Sequence, residues 1–288
     1  MRKNNLVKHK SHKKQRLLSS VAVHTVLIIG AIAFLFPLVW MLSTSLKPLP
    51  ETTKIPPTII PSKFMWSNYA HATTAIPFWK YAKNTLIVCV LSVIGTLISS
   101  TLVAYGFSRI QWKGRNAVFY CVLATMMIPF PVIMAPLFVV FGKLGWIGTL
   151  KPLWIPSFGA AAFNIFLLRQ FFRTIPTELT EAARIDGCSE LGILLRIVLP
   201  LSKPVLLVVA LFQFIASWND FLGPLVYLTR ENTYTLALGL QFFQSQHGGT
   251  FWNYLMAASS LIVLPIIVIY FFAQKAFIEG ISLTGLKG

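Results

Sequence analysis

Acidic residues are scarce in this 288-residue chain, which has eight Asp and Glu against 25 Lys and Arg. Charged residues make up 11 % of the sequence and hydrophobic residues 56 %. Soluble globular domains carry about 25 % charged residues, so this composition argues against soluble domains and favours several membrane spans. The net charge of +17 would suggest nucleic-acid binding in a soluble protein. In a membrane protein the anionic lipid bilayer supplies the counter-charge, so we expect no nucleic acid as a partner.

Cysteine and histidine are also rare, with three and five residues. Cys89 and Cys121 lie in apolar runs and Cys188 in a polar stretch, a spacing that gives neither a disulfide framework nor a metal site. The phosphate-binding pattern G-x-x-x-x-G-K-S/T does not occur, so we expect the chain not to bind or hydrolyse ATP itself. The sequence therefore indicates no metal, no cofactor and no catalytic residue.

Long apolar runs, by contrast, are abundant. Crossing about 30 Å of hydrocarbon takes roughly 18–20 residues. Six runs reach this length, at 21–46, 85–107, 117–141, 153–172, 205–228 and 255–272. Prolines interrupt several of them, which is tolerated where a helix lines a cavity or packs on a neighbour. We predict an all-α integral membrane protein with six transmembrane helices.

The positions of Lys and Arg predict the orientation of these spans. Of the 25 residues, 17 lie in segments on the N-terminal side and 8 on the opposite side. Basic residues accumulate on the cytoplasmic side, so we place both termini in the cytoplasm. A basic N-terminus followed by an apolar run could also be a cleaved signal peptide, but this run is too long for a signal core. We interpret it as the first transmembrane helix.

We predict five regions along the chain. They are a basic cytoplasmic tail at 1–20, the first transmembrane helix at 21–46, an extracytoplasmic connection at 47–84, a core of five transmembrane helices at 85–276 and a cytoplasmic tail at 277–288. The connection is rich in proline, which breaks any spanning helix. The core contains a stretch at 176–204, here called the polar segment, that holds four of the eight acidic residues.

The polar segment reads as two short helices. Thr177 can cap the first helix, and Gly187 can adopt the left-handed backbone that ends it. A second helix can start at Ser189 and run until Pro200 and Pro204. Its apolar stripe, with helical spacing that suits packing against membrane helices, comprises Leu191, Leu194, Leu195 and Val198.

The first helix of the polar segment is suited to docking into a groove on a partner protein. The two alanines would keep its surface flat and allow close approach, and its carboxylates could meet basic groups. The alternative is a solvated charged loop. Asp186 could assist docking or cap the second helix instead. The residues assigned to docking are Glu178, Glu181, Ala182, Ala183, Arg184, Asp186 and Gly187.

A second candidate site consists of Trp218, Asn219 and Asp220. Asp220 is the one acidic residue within a predicted span, and an intramembrane carboxylate costs a few kcal/mol unless it lines water or finds a partner. An aromatic ring, an amide and a carboxylate are groups with which proteins hold sugars. Two interpretations stay open: these residues line the substrate path, or they form structural hydrogen bonds or outer-rim contacts.

The polar segment also carries a specific pattern. It reads Glu181-Ala182-Ala183, three residues, Gly187, nine residues, Ile197, one residue and Leu199-Pro200. The pattern resembles the EAA loop of the membrane subunits of bacterial binding-protein-dependent ABC importers. The stretches FFRTIPTELTEAARIDG, IVLPLSKP, SWNDF, YAKNTL and TGLKG extend the similarity to carbohydrate-uptake permeases of the MalG type, over essentially the whole chain.

The resemblance implies the ABC importer type I permease fold, in the bacterial cytoplasmic membrane. It implies that the EAA helix docks onto a dimer of separate ATP-binding-cassette ATPase subunits and that a homologous MalF-type permease completes the pore. An extracytoplasmic solute-binding protein would deliver a sugar substrate. Cys188 and Ser189 stand where an alanine and a small residue are more usual in the family, which leaves the docking role intact.

The expected function is therefore that of a non-catalytic permease subunit of an ATP-driven sugar importer. An importer of glycerol phosphate or another polar solute is the main alternative. An autonomous carrier would move solute without an ATPase. A membrane enzyme with its site at 218–220 would need a second carboxylate or a nucleophile with its base nearby, and the sequence offers neither.

Overall fold

The computed structural model describes residues 2–244 and 250–285, with side-chain contacts for residues 19–244 and 250–274. Within these ranges the regular structure is helical, apart from one antiparallel bridge between Gln244 and Thr250. The α-helices in chain order are α1 (Arg2–Ser45), α2 (Leu49–Thr52), α3 (Ser67–Thr74), α4 (Phe78–Ser108), α5 (Arg115–Ala124), α6 (Phe130–Lys143), α7 (Lys151–Trp154), α8 (Ala162–Phe172), α9 (Thr177–Ile185), α10 (Glu190–Ile193), α11 (Leu199–Leu201), α12 (Lys203–Trp218), α13 (Leu222–Tyr227), α14 (Leu236–Gly239) and α15 (Trp252–Gly285).

Apolar helices of spanning length confirm the predicted class. In the described part of the chain, four helical stretches could cross a membrane alone, at Ser19–Ser45, Phe78–Ser108, Lys151–Phe172 and Trp252–Gln274. Two bent pairs raise the number to six: α5 with its following 3-10 turn bends by 95° into α6, and α10–α11 bends by 82° into α12. The protein is an all-α membrane protein of up to six spans, as the sequence predicts.

Prolines account for both bends. Ile128 has an extended backbone (ψ 110°) because the ring of Pro129 excludes the helical conformation of the residue before it. Pro204 lies in the first turn of α12, where its missing N–H leaves no hydrogen bond unmade. Pro200 likewise lies at the start of α11. The sequence predicts that the second helix of the polar segment ends at Pro200 and Pro204, and the break falls between them, at Ser202.

Helix boundaries differ from the predicted spans at two places. α4 begins at Phe78 rather than at Thr85, because Phe78 and Tyr81 are buried and extend the packed face of the helix. The neighbouring lysines lower the local hydropathy, so the predicted span begins later. α15 continues to Gly285, past the predicted start of a tail at 277. The side chains of both predicted tails lie outside the described residues, except for the last two positions of the first tail. The cytoplasmic and extracytoplasmic sides of these regions stay predictions.

Contacts divide the chain into two units. Unit 1 comprises Met1–Ala72 and Phe243–Ser260, and unit 2 comprises Thr73–Phe242 and Leu261–Gly288. In unit 1, the buried Asn68 Nδ2 donates hydrogen bonds to the carbonyls of Ser45 and Lys47 at 2.8 and 2.9 Å. Asn253, at the start of α15, donates to Oδ1 of Asn68 at 3.3 Å. The two bonds from Asn68 satisfy carbonyls at and just after the end of α1.

In unit 2, α4 is the central helix and packs against α8 and α12. Small residues on its buried face permit close approach, as is usual between membrane helices. At Gly95 the approach is close, since a Cβ there would lie 2.5 Å from the ring of Phe158. The C-terminal end of α4 joins an apolar cluster with α8 and the polar segment, built from residues that include Tyr105, Phe107, Leu168, Phe172, Ala183 and Val198. This cluster fixes the position of the polar segment.

Candidate functional site

Helix α9 forms the first half of the polar segment and exposes one of its faces. Thr180 and Ala183, three residues apart and therefore on the same face, are buried. Glu178, Glu181 and Ala182 are exposed on the opposite side. The prediction of a flat surface made by both alanines is therefore wrong for Ala183, whose small side chain allows α9 to approach the apolar cluster.

The two ends of α9 are set by backbone geometry. Pro176 occupies the position before the helix and Thr177 is the first helical residue, so the prediction that Thr177 caps the helix is wrong. The prediction for Gly187 is confirmed, with φ at 79°. The Gly187 N–H donates to the carbonyl of Arg184 and the Cys188 N–H to that of Ala183, at 3.0 and 2.9 Å. This pair of bonds is a Schellman motif, which satisfies the last carbonyls of the helix.

The second half of the polar segment begins as predicted. Ser189 caps α10, and its Oγ accepts a hydrogen bond from the Gly192 N–H at 3.2 Å. The predicted apolar stripe holds only in part. Leu194 and Val198 are buried, whereas Leu191 and Leu195 are exposed along a groove of about 320 Å³. The turn at 194–198 is π-helical, and its wider spacing rotates side chains away from the register of an α-helix.

One ion pair in the polar segment was not anticipated from the sequence. Arg184 Nε lies 2.7 Å from Oε1 of Glu190, and its second guanidinium nitrogen lies 3.3 Å from Oε2. The hydroxyl of the buried Tyr105 donates to the same Oε2 at 2.5 Å. The hydrogen bonds to Glu190 raise the pKa of the Arg184 guanidinium. The sequence places Glu190 three residues after Gly187, but nothing in it identifies Tyr105 as a partner.

Two buried arginines hold the helix ends beneath the polar segment. Arg109, just after α4, donates through one terminal nitrogen to the carbonyls of Phe172 and Ile175. Arg169, in α8, donates through Nε to the carbonyl of Phe107 at 3.1 Å. Each arginine thus satisfies carbonyls at the C-terminal end of the other's helix. Burial lowers the pKa of Arg109, yet a guanidinium stays protonated in proteins.

The capping role of these two arginines is not visible in the sequence alone. In the sequence both are basic residues that support the prediction of the cytoplasmic side. Apart from their position near the ends of predicted spans, nothing sets them apart from the other arginines. That two arginines cap each other's helices depends on the packing of α4 against α8. A single sequence does not record that contact.

The second candidate site is largely occupied by internal hydrogen bonds. Trp218 is 6 % exposed, and its Nε1 donates to the carbonyl of Ile262 at 3.1 Å. Asn219 is exposed, and its Nδ2 donates to the carbonyl of Ile215 at 3.0 Å. Asp220 belongs to the predicted fifth span at 205–228 and lies in the break between α12 and α13. Its Oδ1 accepts from the Gly223 N–H at 3.1 Å, which favours the structural interpretation.

Comparison with known proteins decides the family. The profile of the family described as binding-protein-dependent transport system inner membrane component matches residues 92–282. The chain belongs to this family. The match contains the whole polar segment together with α8, α12 and most of α15, so it covers the elements that build both candidate sites. The resemblance drawn from the EAA pattern is confirmed.

Relatives match over nearly the full length. The chain is 36 % identical over 262 residues to the arabinooligosaccharides transport system permease protein AraQ of Halalkalibacterium halodurans, covering 89 % of this chain and 93 % of the relative. It is 35 % identical over 269 residues to the trehalose/maltose transport system permease protein MalG of Thermococcus litoralis, covering 91 % and 96 %. The chain is therefore an inner-membrane component of a transport system and not an enzyme.

A solved structure shares the fold. One chain of a bacterial ABC transporter involved in the import of the acidic polysaccharide alginate superposes with a TM-score of 0.79 at 26 % identity. The superposition covers 90 % of this chain and 96 % of that chain. The permease fold of ABC importers that the sequence predicts is thereby confirmed.

Proposed function

We propose that this permease carries a sugar or oligosaccharide, that an extracytoplasmic binding protein delivers the solute, and that α9 docks onto a separate ATP-binding-cassette ATPase. The observation that carries the docking proposal is the exposed face of α9. The other face of this helix is buried and packs on the apolar cluster, which holds α9 in place. The names of the two relatives, one for arabinooligosaccharides and one for trehalose and maltose, support the solute class.

The exposed face of α9 combines charge with apolar surface. Ile185 is 86 % exposed and Leu179 is 45 % exposed, although both are large and apolar. Apolar side chains rimmed by charge are typical of protein interaction sites. In the proposed complex Ile185 and Leu179 enter a groove of the ATPase, and Glu178 and Glu181 meet basic groups around it. Asp186 and Gly187 hold the turn that follows.

The proposed importer contains further subunits. A homologous permease completes the pore, and a dimer of ATPase subunits drives it from the cytoplasmic side. The distribution of basic residues supports a cytoplasmic position of α9. Among Trp218, Asn219 and Asp220, we assign solute contact to Asn219 alone. Its side chain is exposed, whereas Trp218 is buried and Asp220 binds the backbone of α13.

Cross-linking from α9 tests the docking. In a chain whose Cys89, Cys121 and Cys188 are replaced by alanine, the Ala182→Cys variant is labelled with a maleimide photo-crosslinker in the assembled transporter. Illumination should link this chain to the ATPase. Ala183→Cys, at a buried position, is the matched control and should react poorly with the maleimide. Labelling of the Ala182→Cys variant from outside intact cells, or a link to no ATPase subunit in an active transporter, would contradict the docking.

Reconstitution tests the transport function. Liposomes that contain the chain with its sister permease, the ATPase and the binding protein should take up the solute only when ATP and all subunits are present. The chain alone should move nothing. A preference for glycerol phosphate over every sugar tested would overturn the solute class and leave the permease function standing, and uptake by the chain alone would identify an autonomous carrier.

A further inference from the structure

The carboxylate of Glu190 joins three separate elements of unit 2. It accepts two hydrogen bonds from Arg184, in the last turn of α9, and one from the hydroxyl of Tyr105, near the end of α4. Glu190 itself is the first residue of α10. A negative charge at this position is also favoured by the helix dipole. The dipole alone accounts for a carboxylate at this position, but it does not explain why Arg184 and the Tyr105 hydroxyl both bind that carboxylate.

The ion pair bridges the turn at Gly187. Arg184 precedes the glycine and Glu190 follows it, and between them the chain reverses through a left-handed backbone. No heavy atom outside the neighbouring residues lies within 4 Å of the place where a Cβ of residue 187 would stand. The two Schellman hydrogen bonds close the turn itself, but a glycine has more backbone freedom than any other residue, so side-chain contacts across the turn add to what fixes the angle between α9 and α10.

Tyr105 provides a fixed point for these contacts. It is 4 % exposed and belongs to the apolar cluster that also holds Ala183 of α9. Thr180 and Ala183 hold the buried face of α9 in place, but both side chains are small, and the Thr180 hydroxyl donates within α9 itself, to the carbonyl of Thr177. The two hydrogen bonds of the ion pair, together with the bond from Tyr105, oppose rotation of α9 about these two side chains.

We propose that Glu190 is a positioning residue that holds α9 at a fixed orientation to α4, so that a displacement of α9 is passed to α4 and not absorbed at Gly187. The inference rests on the proposed docking of α9 to an ATPase. An exposed ion pair contributes little to stability by itself. The role of Glu190 is therefore visible in the efficiency of transport rather than in the folding of the chain.

The test compares solute moved with ATP hydrolysed in proteoliposomes that contain the complete transporter. Glu190→Gln keeps the size of the side chain and removes its charge, and it should lower the solute moved per ATP by about fivefold or more, the low end for coupled sites. Tyr105→Phe keeps the ion pair and removes one hydroxyl, and it should lower the ratio by a smaller factor. Arg173→Gln is the control, because Arg173 is exposed and makes no hydrogen bond through its side chain in the described residues.

The outcomes separate this proposal from the docking on which it rests. Each variant also carries Ala182→Cys, so cross-linking reports docking in the same samples. A wild-type ratio in both Glu190→Gln and Tyr105→Phe, with cross-linking intact, overturns the positioning role and leaves the docking standing. An equal drop in Arg173→Gln overturns it as well. Absence of cross-linking in the otherwise wild-type transporter overturns the docking itself.

Discussion

Replacement of Arg109 by methionine should destabilise the protein strongly. Methionine has a similar length but no donors, so the carbonyls of Phe172 and Ile175 would lose their bonds from the guanidinium. Each buried acceptor left without a partner costs about 1–3 kcal/mol, which gives a loss of about 2–6 kcal/mol for two carbonyls. The replacement also removes the cost of burying the guanidinium charge, which offsets part of this loss. We therefore expect the free energy of unfolding to fall by about 2–4 kcal/mol.

The free energy of unfolding can be measured by titrating the purified chain with SDS in mixed micelles and following helix content by circular dichroism. Arg173→Met is the matched control, since it removes an exposed arginine from the same region. It should change the free energy of unfolding by less than about 0.5 kcal/mol, the usual range for surface positions. A loss as small as this in Arg109→Met would refute the reasoning.

The double variant adds a second criterion. Arg169 caps the end of α4, and Arg109 caps the end of α8, so both act on the same junction of two helices. Once one arginine is gone the helix ends can separate, and removal of the other should cost less than it does alone. We therefore expect the double replacement to fall short of the sum of the single losses, as is usual for residues that share a network. Strict additivity would mean that the two arginines act independently.

Three further predictions concern single residues. Ala183→Leu should destabilise the chain by about 1–3 kcal/mol in the same SDS titration because it overpacks the apolar cluster, whereas Ala182→Leu on the exposed face should not. Asp220→Asn should keep both uptake rate and apparent affinity, since the amide oxygen can accept from the Gly223 N–H; a large loss of either would revive a role in solute contact. Hydrogen bonds from Ser62 and Thr58 lower the pKa of Glu51. Its contribution to the loop is therefore present above pH 4.5 and is lost as the pH falls through the lowered value. Hydrogen exchange at the Ser62 amide should show loss of protection in that window, but no such step in Glu51→Gln.

Local features of the polar segment could be predicted from sequence because local chemistry determines them. Gly187 ends α9 through a backbone angle that glycine adopts at little cost, and Ser189 caps α10 through its own hydroxyl. The number of apolar segments was predictable for a similar reason, since the length of a span is set by the thickness of the bilayer. These features need no knowledge of what packs against them.

Features that depend on packing were missed or misplaced. The sequence does not say which face of α9 meets the apolar cluster, so Ala182 and Ala183 looked equivalent although only Ala183 is buried. The bonds from Tyr105 to Glu190 and from Arg109 to Phe172 join residues far apart in the chain. For Asp220 the sequence left a role in the substrate path and a structural role open, and the structure shows a carboxylate that accepts from the Gly223 N–H at the break before α13.

The contact between Gly95 and Phe158 limits how α4 can move. The ring lies where a side chain of residue 95 would be, so it projects into the gap that this glycine leaves. A slide of α4 by one turn, about 5.4 Å, would bring Leu91 or Ser99 opposite the ring, and neither leaves that gap. Translation along the helix axis is therefore blocked unless Phe158 first changes its rotamer. Pivoting about Gly95 is the motion that this contact leaves available to α4.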